Sequence, residues 1–84
     1  MIYSINIKRS AQKSLAGIVQ PHRSKIIEQI QHLAENPRPV TCKKLTGRKA
    51  WRIRIGAYRV IYEINDNQLV VLVVNIAHRS KVYK

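Results

Sequence analysis

The sequence predicts an α+β domain with the element order β-α-α-β-β-β, an antiparallel sheet with two N-terminal helices packed on one face. Three observations support this fold class. Apolar residues first alternate, then recur twice at helical spacing, and then concentrate in three runs rich in β-branched and aromatic residues. A chain of 84 residues has room for one domain, which we expect to span residues 1–84.

The first half of the chain predicts one strand and two helices. Ile2 to Ile7 alternate in polarity, as a strand does. Ser10 is a candidate cap for a first helix whose apolar stripe comprises Ala11, Leu15, Ile18 and Val19. Pro21 ends that helix and can open a second one, with an apolar stripe of Ile26, Ile27, Ile30, Leu33 and Ala34. Asn36-Pro37-Arg38-Pro39 ends the second helix.

The second half predicts a basic loop and three strands. Residues 40–49 form the loop. The strands run from Trp51 to Ile55, from Tyr58 to Ile64 and from Leu69 to Ile76. The last of them is almost continuously apolar, which is typical of a central strand covered on both faces. Asn65-Asp66-Asn67 supplies the turn before it.

The charge of the chain indicates its class of partner. Lys and Arg number 16 against 4 Asp and Glu, giving a formal net charge of +12. Charge of one sign destabilises a compact state by self-repulsion, and a solubility surface needs far less of it. A polyanion or an acidic protein is therefore the expected partner, and composition alone does not choose between nucleic acid, anionic membrane and acidic protein.

Other classes of protein are disfavoured by what the sequence lacks. One cysteine, Cys42, can form neither an internal disulfide nor a cysteine metal cluster, and the His and carboxylate residues have no metal-ligand spacing. We expect no cofactor and no metal. The longest apolar run, Leu69 to Val74, is too short to span a membrane, and Met1 to Lys8 has no signal-peptide pattern. We therefore expect a cytoplasmic protein that does not bind membranes.

The hairpin around Gly56-Ala57 predicts a cluster of arginines. Gly followed by another residue suits a two-residue type II′ turn, which sets Arg54 opposite Arg59. Alternation then brings Arg52, Arg54 and Arg59 to one surface, the arginine face, on the side of the sheet away from the helices. Two interpretations remain open: an exposed face of long cationic side chains, or a pocket whose forked donors bind a phosphate.

The C-terminal residues add an imidazole, a guanidinium and a phenol: His78, Arg79 and Tyr83. Because they follow the central strand, they could fold back along the arginine face. His titrates near neutral pH, and Tyr can stack on a base or donate a proton. Each of these residues, taken alone, is more often structural than catalytic.

The run from Trp51 to Ile64 resembles the central hairpin of the RelE family of bacterial and archaeal toxins. Ala77 to Tyr83 is similar to that family's terminal motif, and Lys44-Leu45-Thr46-Gly47 also fits. The resemblance implies a toxin of a type II toxin–antitoxin system that cleaves messenger RNA in the ribosomal decoding site. The implied reaction is attack of a ribose 2′-hydroxyl on the adjacent phosphate, without a metal.

The resemblance also implies roles for individual residues. Arg59 matches the arginine that holds the scissile phosphate, Arg79 a second basic residue, and Tyr83 the tyrosine that stacks on or orients the nucleotide. Arg52 and Arg54 stand where well-known members have lysines, and arginine cannot act as a general base. His78 is our candidate for that proton transfer. The expected RNA- and ribosome-binding residues are Lys43, Lys44, Arg48, Lys49 and Lys81.

The partners implied by the resemblance are an acidic antitoxin, the ribosome with its messenger RNA, and promoter DNA only through the antitoxin. Two alternatives remain open. One is a ParE-like toxin, which shares the fold but inhibits DNA gyrase. The other is a non-catalytic nucleic-acid-binding relative, in which the arginines bind phosphate without turnover.

Overall fold

The computed structural model describes residues 2–78, which form two helices and five strands. In chain order these are β1 (Ser4–Ile7), α1 (Arg9–Ala16), α2 (His22–His32), β2 (Lys43–Lys44), β3 (Trp51–Ile55), β4 (Tyr58–Asn65) and β5 (Val70–His78). The predicted α+β class is confirmed, with both helices preceding the main hairpin in the sequence. No helix within residues 2–78 has the length and apolar character needed to cross a bilayer.

The strands form one sheet in the order β1-β5-β4-β3-β2. Strand β5 is central, as its apolar sequence predicts. It pairs antiparallel with β4 and parallel with β1, where Ser4 lies beside Val70. The sheet is therefore mixed rather than antiparallel throughout, which corrects the expectation. Parallel neighbours need a long connection, and the helices and three intervening strands supply it.

Strand β2 was not expected, because residues 40–49 predict a loop. Lys43 pairs with Arg52 and Lys44 with Trp51, so the loop adds a two-residue strand at the edge of β3. Two lysines carry no alternating apolar pattern, so the sequence gives no signal for this pairing. Short, charged strands are common at sheet edges because they discourage pairing with other chains.

The helices begin and end close to the predicted positions. Lys8, rather than Ser10, occupies the position before α1, and the carbonyl of Ser10 instead accepts a hydrogen bond from the Ser14 hydroxyl at 3.1 Å. Val19 lies beyond α1 and is exposed, so it does not belong to the apolar stripe. The Gln20–Pro21 peptide bond is cis, and α2 starts directly after it.

Both helices pack on the same face of the sheet, α1 against β5 and α2 against β3. The core between the layers is built from buried aliphatic side chains of the helices and the strands and from one buried phenol ring. Its members include Leu15, Ile26, Ile30, Ile53, Val60, Tyr62, Val73 and Ile76. Burial of this apolar surface is the main stabilising contribution to the fold.

The β3–β4 hairpin has the predicted register over all five pairs, from Trp51 opposite Tyr62 to Ile55 opposite Tyr58. Gly56 adopts φ of 60°, the conformation that the first position of a type II′ turn requires. Between β4 and β5 the register shifts at Ile61 and Tyr62. Strand β5 has one extra residue there, a β-bulge, opposite these two residues of β4. The Tyr62 hydroxyl donates a buried hydrogen bond of 2.7 Å to the carbonyl of Pro37, which fixes the loop after α2 to the sheet.

The β4–β5 turn is held by a second set of polar contacts. Arg38 donates two hydrogen bonds to the Asp66 carboxylate, at 3.2 and 2.8 Å, and the Tyr3 hydroxyl donates a third at 2.6 Å. These hydrogen bonds, above all those from Arg38, lower the pKa of Asp66 to about 2. The Arg38 guanidinium also lies 5.0 Å from the centre of the Trp51 ring, within cation–π range.

Candidate functional site

The arginine face forms as the register predicts. Arg54 is directly opposite Arg59, and Arg52 is two residues away along β3. Residues at alternate positions share a face, so all three side chains leave the sheet on the side opposite the helices, here named the open face. The hairpin turn at Gly56 therefore determines the geometry of the cluster, because it fixes the register of both strands.

The three arginines differ in their exposure. Arg59 lies on a central strand of the sheet and only 7% of it is exposed. Arg52 is half-buried, and its Nε is shielded from solvent and has no hydrogen-bond acceptor among residues 2–78. Arg54 is exposed at the surface. The cluster thus combines one buried arginine, one partly enclosed donor group and one exposed cation.

The residues in register beside these arginines are not acidic. Arg52 lies between Lys43 and Ile61, and Ile61 in turn pairs with Asn75. Arg59 lies between Arg54 and Ala77. Guanidinium groups in a fork geometry bind phosphate oxygens in pairs, and a half-buried site strengthens such contacts. The arrangement is therefore chemically suited to hold a phosphodiester group.

His78 does not join this cluster, which corrects the expectation for that residue. Strand β5 continues two residues past the predicted end at Ile76, so alternation puts His78 on the helix-covered face, opposite Tyr58. Its ring meets that of Tyr58 edge-to-face at 5.3 Å. Arg59 pairs with Ala77 and points to the other side of the sheet. This placement argues against His78 as the proton-transfer group.

The basic loop divides between the two faces. Lys43 pairs with Arg52 and so lies beside the arginine face. Lys44 lies on the opposite face, with its ammonium group 5.9 Å from the centre of the Trp51 ring. Arg48 and Lys49 are exposed in the connection to β3. Lys43 is thus the residue of this predicted set that extends the arginine face directly.

Three of the predicted site residues, Arg79, Lys81 and Tyr83, lie outside the described residues. Their roles remain expectations drawn from the family resemblance. Within residues 2–78, no three His, Cys, Asp or Glu side chains come together in a way that could hold a metal ion. The chemistry that the arginine face itself offers is electrostatic, since arginine side chains stabilise negative charge and do not exchange protons.

Sequence reasoning missed two residues of the open face. Asn75 lies beside Ile61 in the row that contains Arg52 and Lys43. Glu63 follows Arg59 and Ile61 at alternate positions of β4, so it shares their face. Extending the hairpin register along β4 would have identified Glu63. The bulge hides the position of Asn75, because it shifts β5 by one residue relative to β4.

Comparison with known proteins identifies similar chains. The family model described as the ParE toxin of type II toxin–antitoxin systems, parDE, matches residues 5–83. A protein named as a toxin, RelE1 from Methanocaldococcus jannaschii, is 28% identical over 88 residues, covering 100% of this chain and 98% of the relative.

Solved structures share the fold. RelE in the archaeal RelE–RelB complex from Pyrococcus horikoshii superposes with a TM-score of 0.85 at 27% identity, covering 98% of this chain and 100% of that one. The isolated RelE toxin of E. coli gives a TM-score of 0.79 at 25% identity, covering 96% of this chain and 90% of that one. The likeness therefore extends over nearly the whole sequence and not only over the arginine hairpin.

Proposed function

The chain belongs to the family of ParE toxins of type II toxin–antitoxin systems, and from this premise we propose that it is a ribosome-dependent endonuclease of messenger RNA. The observation that carries the proposal is the direct opposition of Arg54 and Arg59 on one sheet face. Opposed like charges destabilise a sheet, so a sequence selected only for folding disfavours them. A bound phosphate lowers the repulsion because it places a negative charge between the two cations.

The proposed reaction is an internal transfer at phosphorus. The ribose 2′-oxygen forms a bond to the adjacent phosphorus, the bond from phosphorus to the 5′-oxygen breaks, and a cyclic phosphate remains. Negative charge develops on the non-bridging oxygens and on the leaving oxygen. Arg59 and Arg54 stabilise that charge through paired N–H donors. The 2′-hydroxyl gives its proton to a group other than these arginines, since they stay protonated, and the departing 5′-oxygen takes up one proton to become a hydroxyl.

The partly enclosed Nε of Arg52 supports an anionic ligand at this position. A buried donor without an acceptor costs about 1–3 kcal/mol relative to a hydrogen-bonded one. An oxyanion on the open face could draw the Arg52 guanidinium into contact and offset that cost. We assign Arg52 and Lys43 to binding of the flanking RNA backbone, with Arg48 and Lys49 contacting ribosomal RNA.

The proposed protein partner is an acidic antitoxin. Relatives of similar fold form toxin–antitoxin complexes, as in the RelE–RelB pair of Pyrococcus horikoshii. A net charge of +12 favours association with an acidic chain, and covering the arginine face would block the RNA site. Promoter DNA would then be bound through the antitoxin, and the toxin would act in the cytoplasm, where ribosomes are.

The test uses a purified translation system. Ribosomes are stalled on a defined message, the toxin is added, and new 5′ ends are mapped by primer extension. We expect cuts at the codon in the decoding site and none on the same message without ribosomes. Arg59→Ala should lower the cleavage rate by about 10²–10³-fold, the usual effect of removing one donor to a developing oxyanion.

Arg9→Ala is the matched control, because it removes the same charge from helix α1. It should leave the cleavage rate near that of the wild type. Absence of cuts by the wild-type toxin, in a system that otherwise translates normally, would refute the proposal. Equal losses in both arginine variants would refute the assigned role of Arg59.

A second candidate is inhibition of DNA gyrase, which the description of the matching family model favours. Arginine in place of a proton-accepting lysine at positions 52 and 54 fits a toxin that binds without cleaving RNA. A supercoiling assay with purified gyrase separates the two candidates. Inhibition of supercoiling together with intact messages would establish gyrase inhibition. Absence of both gyrase inhibition and RNA cleavage would indicate a non-catalytic nucleic-acid-binding relative.

A further inference from the structure

The open face extends beyond the arginines to a groove of about 640 Å³ at the start of the β4–β5 turn. Glu63 lines it, with Lys49, Val70 and Leu72. Glu63 pairs with Leu72 across the two central strands, so the aliphatic side chain and the carboxylate stand side by side. The lining is mixed, polar at Lys49, Glu63, Asn65, Asp66, Asn67 and Gln68 and apolar at Ile64, Val70 and Leu72. Such a lining offers apolar contact to a ring and hydrogen-bonding groups to its polar edge.

Glu63 lies in line with the arginine cluster. Arg59, Ile61 and Glu63 occupy alternate positions of β4 and therefore point to the same side. Glu63 follows Arg59 by four steps along β4, a distance of about 13 Å at 3.3 Å per residue. An RNA strand that puts one phosphate on Arg59 can therefore bring a neighbouring nucleotide to the groove.

The charge of Glu63 is unexpected at this place. It is the one acidic residue within the five described strands, and it shares its face with Lys43 and the three arginines. It is exposed and forms no ion pair within 4.0 Å among residues 2–78. Asp66, at the end of the same groove, is instead occupied by Arg38. An unpaired carboxylate repels phosphate, so phosphate binding does not explain Glu63.

A carboxylate does suit the edge of a nucleobase. It only accepts hydrogen bonds, and in protein–nucleic acid contacts it accepts them from the exocyclic amino groups of bases. Single-stranded RNA is recognised in this way, by bases turned out of the strand and bonded along their edges. Adenine, cytosine and guanine carry an exocyclic amino group, and uracil has none.

We propose that the groove beside Glu63 binds a base of the RNA strand held by the arginine face, and that Glu63 selects bases with an exocyclic amino group against uracil. Leu72 and Val70 contact the ring, and the Glu63 carboxylate accepts the amino hydrogen. Lys49, which we assign to ribosomal RNA, also lines the groove. This inference deepens the proposed RNA-cleaving function and rests on it for the identity of the ligand.

The experiment compares base preference in the wild type, Glu63→Gln and Glu35→Gln. Ribosomes are stalled on a library of messages carrying every codon in the decoding site, and the cut products are sequenced. We expect the wild type to disfavour uracil at one codon position by about fivefold or more. Glu63→Gln should lose that discrimination there and keep cleavage at the other codons. Glu35→Gln removes an equal charge beyond the end of α2 and should leave the profile unchanged.

A second measurement does not require cleavage. Short 2′-O-methyl oligonucleotides, which lack the attacking hydroxyl, are titrated against the wild type and Glu63→Gln, with uracil or cytosine at each position in turn. The wild type should bind one cytosine-containing oligomer more tightly than its uracil counterpart, and the variant should bind both alike. Identical base preferences in the wild type and Glu63→Gln would overturn the inference. Loss of cleavage alone, with discrimination in binding intact, would count only against the proposed reaction.

Discussion

Arg54 and Arg59 face each other directly across the β3–β4 hairpin, on the side of the sheet that the helices leave open. One of the two is almost fully buried, with 7% of its surface exposed, and the other is at the rim. Their repulsion opposes folding, while their forked donors can converge on one phosphate. The same pair therefore ties the stability of the fold to its capacity to bind an anion.

Replacing Arg54 by Thr should stabilise the fold and lower the rate of RNA cleavage. Removing one of two opposed like charges and adding a β-branched residue should raise the free energy of unfolding by about 0.2–1 kcal/mol. Urea denaturation measures this change. The gain should shrink at high salt, where the repulsion in the wild type is screened. RNA cleavage should fall in the same variant, and an unchanged or lowered urea midpoint would contradict the interpretation.

The contacts of Asp66 predict an acid-sensitive contribution to stability. Hydrogen bonds from Arg38 and then from Tyr3 hold its pKa at about 2, below the ordinary value of 3.8. A carboxylate with a lowered pKa in the folded state stabilises the fold above its unfolded pKa and loses that effect as the pH falls through the folded value. Wild type should therefore exceed Asp66→Asn in stability at pH 7, and the difference should disappear towards pH 2.

Unfolding midpoints of the two proteins at several pH values between 2 and 7 check this prediction. Glu35→Gln is the control, because Glu35 is exposed and takes part in no ion pair among residues 2–78. A difference between wild type and Asp66→Asn that stays constant down to pH 2 would show that the Arg38 contact does not depend on the charge of Asp66.

Tyr62→Phe should destabilise the fold without changing its core volume. The Tyr62 hydroxyl is the buried donor to the carbonyl of Pro37, and its loss leaves that carbonyl unsatisfied, at a cost of about 1–3 kcal/mol. Tyr3→Phe is the matched control, since its hydroxyl bonds an exposed carboxylate and should contribute less. Equal effects of the two substitutions on the chemical denaturation midpoint would contradict the assignment.

His78→Gln should retain RNA cleavage. The imidazole lies against Tyr58 on the helix-covered face, and the arginine face is on the other side of the sheet. A positioned general acid or base contributes about 10²–10⁴-fold to a rate, and we expect no loss of that size. Single-turnover cleavage on stalled ribosomes, measured over a range of pH, provides the test. A loss of that magnitude would return His78 to the list of proton-transfer candidates.

The hairpin was predictable from sequence because its determinants are local. Gly56-Ala57 permits a two-residue turn, the turn fixes the register, and alternation then assigns Arg52, Arg54 and Arg59 to one face. No further information was needed, so the geometry of the arginine cluster followed from a short stretch of sequence.

Other features depended on contacts between distant segments. Nothing in Ser4–Ile7 specifies β5 as its neighbour, so the parallel pairing was missed. The side of the sheet on which His78 lies depends on how far β5 extends. Apolar patterning specifies the ends of strands only weakly. The role of Arg38 could not be inferred either, because its partner Asp66 lies 28 residues further along the chain and only the fold brings the two together.

The pairing of β1 with β5 also bears on when the protein can become active. Strand β5 joins β1 on one side and β4 on the other, so this interior position is filled by the last of the five described strands to be synthesised. Until β5 emerges from the ribosome, neither the first strand nor the arginine hairpin has its neighbour. Contacts between such distant segments form late because the intervening chain must first be closed into a loop. A nascent chain therefore cannot complete the sheet that carries the arginine face until β5 has left the ribosome.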